Sequence, residues 1–173
     1  MRRNLGTAIA IAVVLALALV VSNFTLAAGG DTAKAEHRDH VQTIQLTATS
    51  LASQDIDVGP SGLSLGDYFV ATENLFRQGK KVGTDHAVCT LTRLEPPTGT
   101  PKRFAAQCLA TLVLPEGQIT LQGVRTGSLS AQQPPRFTLA ITGGTGTYKT
   151  AQGQVRIVDI NATDSRLTLT LIR

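Results

Sequence analysis

The 173-residue chain is long enough for one domain with some length left over for targeting. Its formal net charge is +4, but two of those charges are Arg2 and Arg3 and the others are scattered without a basic run. With no Trp, two Tyr and five Phe there is also little to stack on bases, so composition and charge exclude a nucleic-acid partner.

Arg2 and Arg3 precede an apolar run from Leu5 to Val21 that only Gly6 and Thr7 interrupt, and small residues follow at Ala27 and Ala28. Residues 1–28 therefore read as a secretory signal helix. Cleavage would follow small residues at Thr25 and Ala27, or at Ala33 and Ala35; retention as a signal anchor is the alternative, because the run is at the short edge of what spans a bilayer. The expected location is secreted or extracytoplasmic, with membrane contact only through this segment if it is uncleaved. Residues 29–40 (GGDTAKAEHRDH) form a polar linker. Glu36, His37, Asp39 and His40 are metal-ligating types, but nothing around them fixes a geometry, so they read as solvated and no metal is expected.

The remaining residues, 41–173, show no helical period. Eight strand-like runs follow one another, each ended by Gly, Pro, Asn or Asp: Val41 to Thr49, Asp67 to Phe76, Val82 to Leu94, Phe104 to Leu114, Gln118 to Val124, Arg136 to Thr142, Gln154 to Ile160 and Arg166 to Ile172. Short connections at Gln78-Gly79, Glu116-Gly117 and Asn161 to Ser165 imply antiparallel neighbours. Such a set forms a sandwich or closes into a barrel, and closure abolishes the edge strands.

Alternation assigns the inward faces. The more apolar sets are Ala87, Cys89 and Leu91; Phe104, Ala106, Cys108, Ala110 and Leu112; Ile119 and Leu121; Phe137, Leu139 and Ile141; and Leu167, Leu169 and Leu171. Several are small, which leaves room for an apolar ligand cavity. In the second run, DYFVATENLF, parity ties Glu73 to Phe69 and Ala71. If those two face inward, a carboxyl group enters an apolar lumen, where its pKa rises and it becomes a candidate general acid or base. Composition alone favours the other parity, with Glu73 in solvent. Asp85 and His86 are adjacent and point to opposite faces, so they do not form a catalytic pair; both are expected at the surface or the rim.

A hairpin centred between Thr98 and Gly99 sets Cys89 opposite Cys108. A cross-strand disulfide fits that geometry and an oxidising compartment; two buried free thiols are the alternative. The glycine-rich stretch FTLAITGGTGTYKTAQGQV (Phe137 to Val155) resembles a phosphate cradle only superficially. Lys149 is followed by Thr150, but the glycine spacing is wrong and Gly153 breaks any helix, so the stretch reads as a corner between two strands.

Four segments in order, LGDYFVATENLF (Leu65 to Phe76), KKVG (Lys80 to Gly83) with Cys89 six residues beyond, LPEGQITLQG (Leu114 to Gly123), and LAITGGTGTY with AQGQV (Leu139 to Val155), resemble the allene oxide cyclase barrel family, which includes the plant dirigent proteins. The resemblance implies an all-β fold, an eight-stranded antiparallel closed β-barrel. Its lumen would be mostly apolar and need no metal or organic cofactor. The implied function is a cyclase or isomerase that folds a flexible, lipid- or polyketide-like molecule for ring closure, with an exported non-catalytic, lipocalin-like or dirigent-like barrel as the alternative. It further implies a homo-oligomer.

Residue by residue, the resemblance places Cys89 in the pocket wall and turns Glu73 inward, making these two the candidate catalytic residues, with Phe69, Ala71, Phe104, Leu121, Phe137 and Leu139 binding the substrate. On the first strand the plant cyclases carry a glutamate and an asparagine where QLTATS offers Thr47 and Thr49. That removes the charge and points away from allene oxide cyclase activity itself.

Overall fold

The computed structural model describes residues 40–130 and 135–172; the expected signal segment and nearly all of the expected linker lie outside them. Eight strands run in chain order: β1 (Val41–Ile56), β2 (Tyr68–Arg77), β3 (Lys80–Glu95), β4 (Arg103–Leu114), β5 (Gly117–Ser128), β6 (Arg136–Gly144), β7 (Gln152–Asp159) and β8 (Asp164–Ile172). They pair antiparallel in an unbroken meander, and β1 closes on β8 from Val41↔Ile172 to Thr49↔Asp164. The fold is an all-β closed eight-stranded barrel, as the resemblance implies. The β2–β3 turn shows why the connections are short: Gln78 (φ 51) and Gly79 (φ 77) both take positive φ, the signature of the two-residue turn whose twist matches its strands.

The inward sets follow the expected parity. Leu75, Leu112, Ile119, Leu121, Leu139, Ile141, Val155, Leu167, Leu169 and Leu171 pack with Ile44, Leu46 and Ala48 into one core. The glycine corner closes this end. A single 3₁₀ turn, Gly146–Tyr148, folds across the β4–β5 turn, with the Thr145 and Thr147 amides donating to Gln118 O and Glu116 O at 2.9 Å each. Gly146 needs its φ of +58, and a Cβ there would meet the Glu116 carbonyl. Buried Tyr148 plugs the end, its hydroxyl donating to Glu116 Oε2 at 3.4 Å. The corner is structural.

The first strand is longer than its alternation suggests. Past Thr49 a bulge between Ser50 and Ala52 interrupts the β1–β2 register, and pairing resumes from Ala52↔Thr72 to Ile56↔Tyr68. Residues 51–55 are exposed and mostly polar, so they carry no apolar signal. The bulge also resets which side chains face inward, because one extra residue shifts parity. Thr47 is exposed and Thr49 Oγ1 donates to Asp164 Oδ1 at 2.8 Å, while Ser50 and Ser53 line the lumen.

Candidate functional site: a carboxyl pair in a two-chambered lumen

Away from the packed end, the inward positions turn small or polar and the barrel is hollow. One chamber, about 600 Å³, has Phe69, Ala71, Ala87, Ala110, Phe137 and Leu139 in its wall. A second, about 620 Å³, lies among Tyr68, Leu91, Phe104, Ala106 and Leu129. Phe69, Cys89 and Arg125 line both. Of the residues expected to bind substrate, Phe69, Ala71, Phe137 and Leu139 border the first chamber and Phe104 the second. Leu121 is packed in the core, 2% exposed, and borders neither.

Cys89 and Cys108 pair in register across β3 and β4 and are joined as a disulfide, their Cα atoms 4.0 Å apart. Of the two alternatives, the disulfide is the one found. Cys89 therefore presents a disulfide sulfur, not a thiol, to the lumen. Such a bond is consistent with a protein outside the cytoplasm.

Glu73 faces inward with Phe69 and Ala71, against the reading from composition. Opposite it in the β2–β3 register is Asp85. Asp85, expected at the surface or the rim, is instead 6% exposed and lines the chamber. His86 is the residue that faces out, within 3.1 Å of Thr84 Oγ1. The reason is parity, since Asp85 falls on the same face as Ala87, Cys89 and Leu91.

Two carboxyls facing each other in an apolar wall cannot both ionise cheaply. Burial, followed by the charge of Glu73, pushes the Asp85 pKa up to about 7. Burial, followed by the charge of Asp159, raises that of Glu73, while a hydrogen bond from Asp85 works against the rise. These effects describe a coupled pair in which Asp85 keeps its proton up to about neutrality, beside a Glu73 carboxyl whose own pKa is raised. Asp85 Oδ1 is buried and has no hydrogen-bond partner among the described residues. A neutral acid and a carboxylate side by side can donate one proton and take another.

Two further charged residues enter from β5 and β7. Arg125 Nη2 is 3.8 Å from Asp159 Oδ2, and its guanidinium carbon is 5.0 Å from the centroid of the Phe137 ring and 5.9 Å from that of Phe104. Ser165 Oγ donates to Asp159 Oδ1 at 2.9 Å. Arg125 and Asp159 escaped sequence reasoning although the signal was present. Ile119, Leu121, Gly123 and Arg125 share one parity, as do Val155, Ile157 and Asp159.

The chain matches the family model for the allene oxide cyclase barrel like domain over residues 42–170. No curated protein sequence matches it. Among solved structures, a pyocyanin demethylase is 28% identical, over 75% of this chain and 99% of its own, with a TM-score of 0.62. A Diels–Alderase from Streptomyces koyangensis is 15% identical over 80% of this chain and 71% of its own, with a TM-score of 0.61. A pterocarpan synthase dirigent protein is 12% identical over 87% and 98%, with a TM-score of 0.58. The last two share the fold.

Proposed function

Because the chain belongs to the allene oxide cyclase barrel-like family, we propose that its lumen is the active site of an isomerase or cyclase acting on an apolar small molecule, with the Glu73–Asp85 pair moving the proton. The observation that carries this reading is the pair itself: two carboxyls in register, one almost fully buried with an unpartnered oxygen, in a chamber large enough for a small ligand. Neutral Asp85 donates its proton to a carbonyl or similar oxygen of the substrate as Glu73 removes one from carbon, so the pair ends with as many protons as it began. Asp159 contributes by keeping the Glu73 carboxylate basic. Phe69, Ala71, Phe137 and Leu139 hold the apolar body of the substrate and restrict its conformers, and the Cys89–Cys108 disulfide is wall. The disulfide supports export, with the enzyme released or anchored through residues 1–28.

The test uses a generic probe of acid–base chemistry, β-tetralone, whose α-protons exchange slowly in deuterium oxide. Wild-type protein accelerates that exchange. Asp85→Asn and Glu73→Gln lower the acceleration by roughly 10²–10⁴-fold, the usual contribution of a positioned acid or base, while the β-sheet circular dichroism is retained. Exchange that is equally fast in both variants would remove the pair from the mechanism. Bound ketone without exchange would point to the non-catalytic barrel. A second reading, demethylation, is favoured by the 28% identity to the pyocyanin demethylase across nearly all of that chain; release of the methyl carbon of added pyocyanin as formaldehyde, with water supplying its oxygen and the phenazine ring taking the two electrons, would support it.

A further inference from the structure

We propose that Arg125 makes the junction of the two chambers a subsite for an acidic oxygen, so that the ligand is an apolar or aromatic molecule carrying one carboxylate, sulfonate, phenolate or enolate group. This deepens the reading of the lumen as a ligand site and does not depend on catalysis there.

The alternation of β5 turns Arg125 inward beyond Leu121 and Gly123, and its side chain is 27% exposed. It borders both chambers, together with Phe69 and Cys89. An arginine in such a position is costly unless its charge and its five N–H donors are met. Phe104 and Phe137 attract the cation through their rings but use up none of those donors. Asp159 lies 3.8 Å away, beyond hydrogen-bond reach, and its other oxygen already accepts from Ser165. Among the described residues no hydrogen bond engages the Arg125 side chain. The guanidinium is thus held in place by rings and a loose ion pair, with its hydrogen-bonding capacity directed at whatever fills the lumen.

The other charges agree with this assignment. Glu73 and Asp85 border the first chamber and not the second. Of the acidic residues around the second, Asp67 accepts from the Val58 and Ser64 amides and Asp57 from the Gly62 amide, and Asp55 is exposed. Arg125 is the one basic residue bordering either chamber among the described residues. A planar fork of donors between two aromatic rings suits an oxygen acid attached to a flat or apolar body. With that oxygen fixed, the remainder of the ligand reaches into the first chamber, where the carboxyl pair stands.

Two dyes with nearly the same aromatic skeleton test the proposal: anilinonaphthalene sulfonate, which carries an acidic group, and N-phenylnaphthylamine, which does not. Their affinities for the full-length protein are read by fluorescence titration at low ionic strength. Wild-type protein binds the sulfonate at least about tenfold more tightly, in line with a charge-assisted hydrogen bond. Arg125→Met abolishes that preference and leaves the neutral dye within about twofold; Arg125→Lys keeps part of it. Asp159→Asn, which removes the competing carboxylate, strengthens sulfonate binding several-fold. No preference in the wild type, or an unchanged preference in Arg125→Met, overturns the proposal. So does loss of both dyes in both Arg125 variants, since the residue would then support the pocket and not the oxygen. Asp85→Asn separates the two readings. Lost ketone exchange with an intact dye preference upholds both, whereas unchanged exchange with an intact preference contradicts only the proton-transfer reading.

Discussion

The two ends of the barrel are built from the same strands and differ in side-chain volume. At the closed end, Leu75, Leu112, Ile119, Leu169 and Leu171 are fully buried and Tyr148 covers them. At the hollow end the same faces carry Ala71 and Glu73 on β2, Asp85 and Ala87 on β3, Ala106 and Ala110 on β4, and Arg125 on β5. The hydrogen-bonded ladders thin out in the same direction. β1 runs on to Ile56 after β8 has begun at Asp164, and β5 and β6 pair only from Ile119↔Gly144 to Gln122↔Ala140. One end supplies stability and the other spends some of it on holding charge in an apolar wall. A closed meander tolerates this because each strand contributes to both ends.

The largest loss of stability is expected when a closed-end leucine is removed. Leu169→Ala should lower unfolding free energy by about 3 kcal/mol, the middle of the range for truncating a buried leucine, as measured by chemical denaturation. A loss below about 1 kcal/mol would mean that the closed end is not the stability core. Replacing both Cys89 and Cys108 by Ser should cost a similar amount, about 3 kcal/mol for a loop of this length, with the loss concentrated in stability and not in ketone exchange. Equal stability of the reduced and oxidised wild-type protein would contradict it.

The opposite sign is expected at the carboxyl pair. Asp85 has its pKa raised on folding, so between the ordinary carboxylate value and about 7 the native protein keeps a proton that the unfolded chain has released. Stability contributed by this group therefore falls as pH rises through that window and is lowest above it. Asp85→Asn removes the penalty. It should stabilise the protein by on the order of 2–4 kcal/mol at pH about 8 and by little at pH about 4, while lowering ketone exchange. A variant less stable at both pH values would refute the cost assigned to ionising Asp85 in the apolar wall. The smallest effect on stability belongs to Ala71→Leu. Its extra atoms enter the chamber and not packed core, so unfolding free energy changes by less than about 1 kcal/mol while dye and ketone binding fall. Unaltered binding would show that the chamber is not where ligands sit.

Much of this was legible from residues. Period-two alternation placed Leu139, Ile141, Leu167 and Leu169 inward, and the hairpin centre at Thr98 and Gly99 paired Cys89 with Cys108. Glu73 was ambiguous because its strand is amphipathic on neither face: Tyr68 and Val70 compete with Phe69 and Ala71, and the β2–β3 register decided it. Asp85 was misplaced because a carboxyl beside a histidine looks like a rim, although parity with Ala87 put it inside. The second half of β1 was illegible for a different reason. Leu51 to Asp55 are exposed and the bulge at Ser50 breaks the period, so no count of alternating residues reaches Ser53. Depth along the barrel, which brings buried Leu139 to the chamber wall and leaves equally buried Leu121 short of it, depends on stagger between strands, and a single sequence does not encode stagger in its period.

Proton transfer in the lumen requires Asp85 to keep its proton up to about neutrality beside Glu73. Carbon NMR of the side-chain carboxyls across a pH titration tests it directly. The Asp85 signal is expected to titrate at about 7 and to move toward lower pH when Glu73→Gln removes the facing charge. An Asp85 carboxyl that titrates in the ordinary range near 4, unaffected by Glu73→Gln, would contradict it.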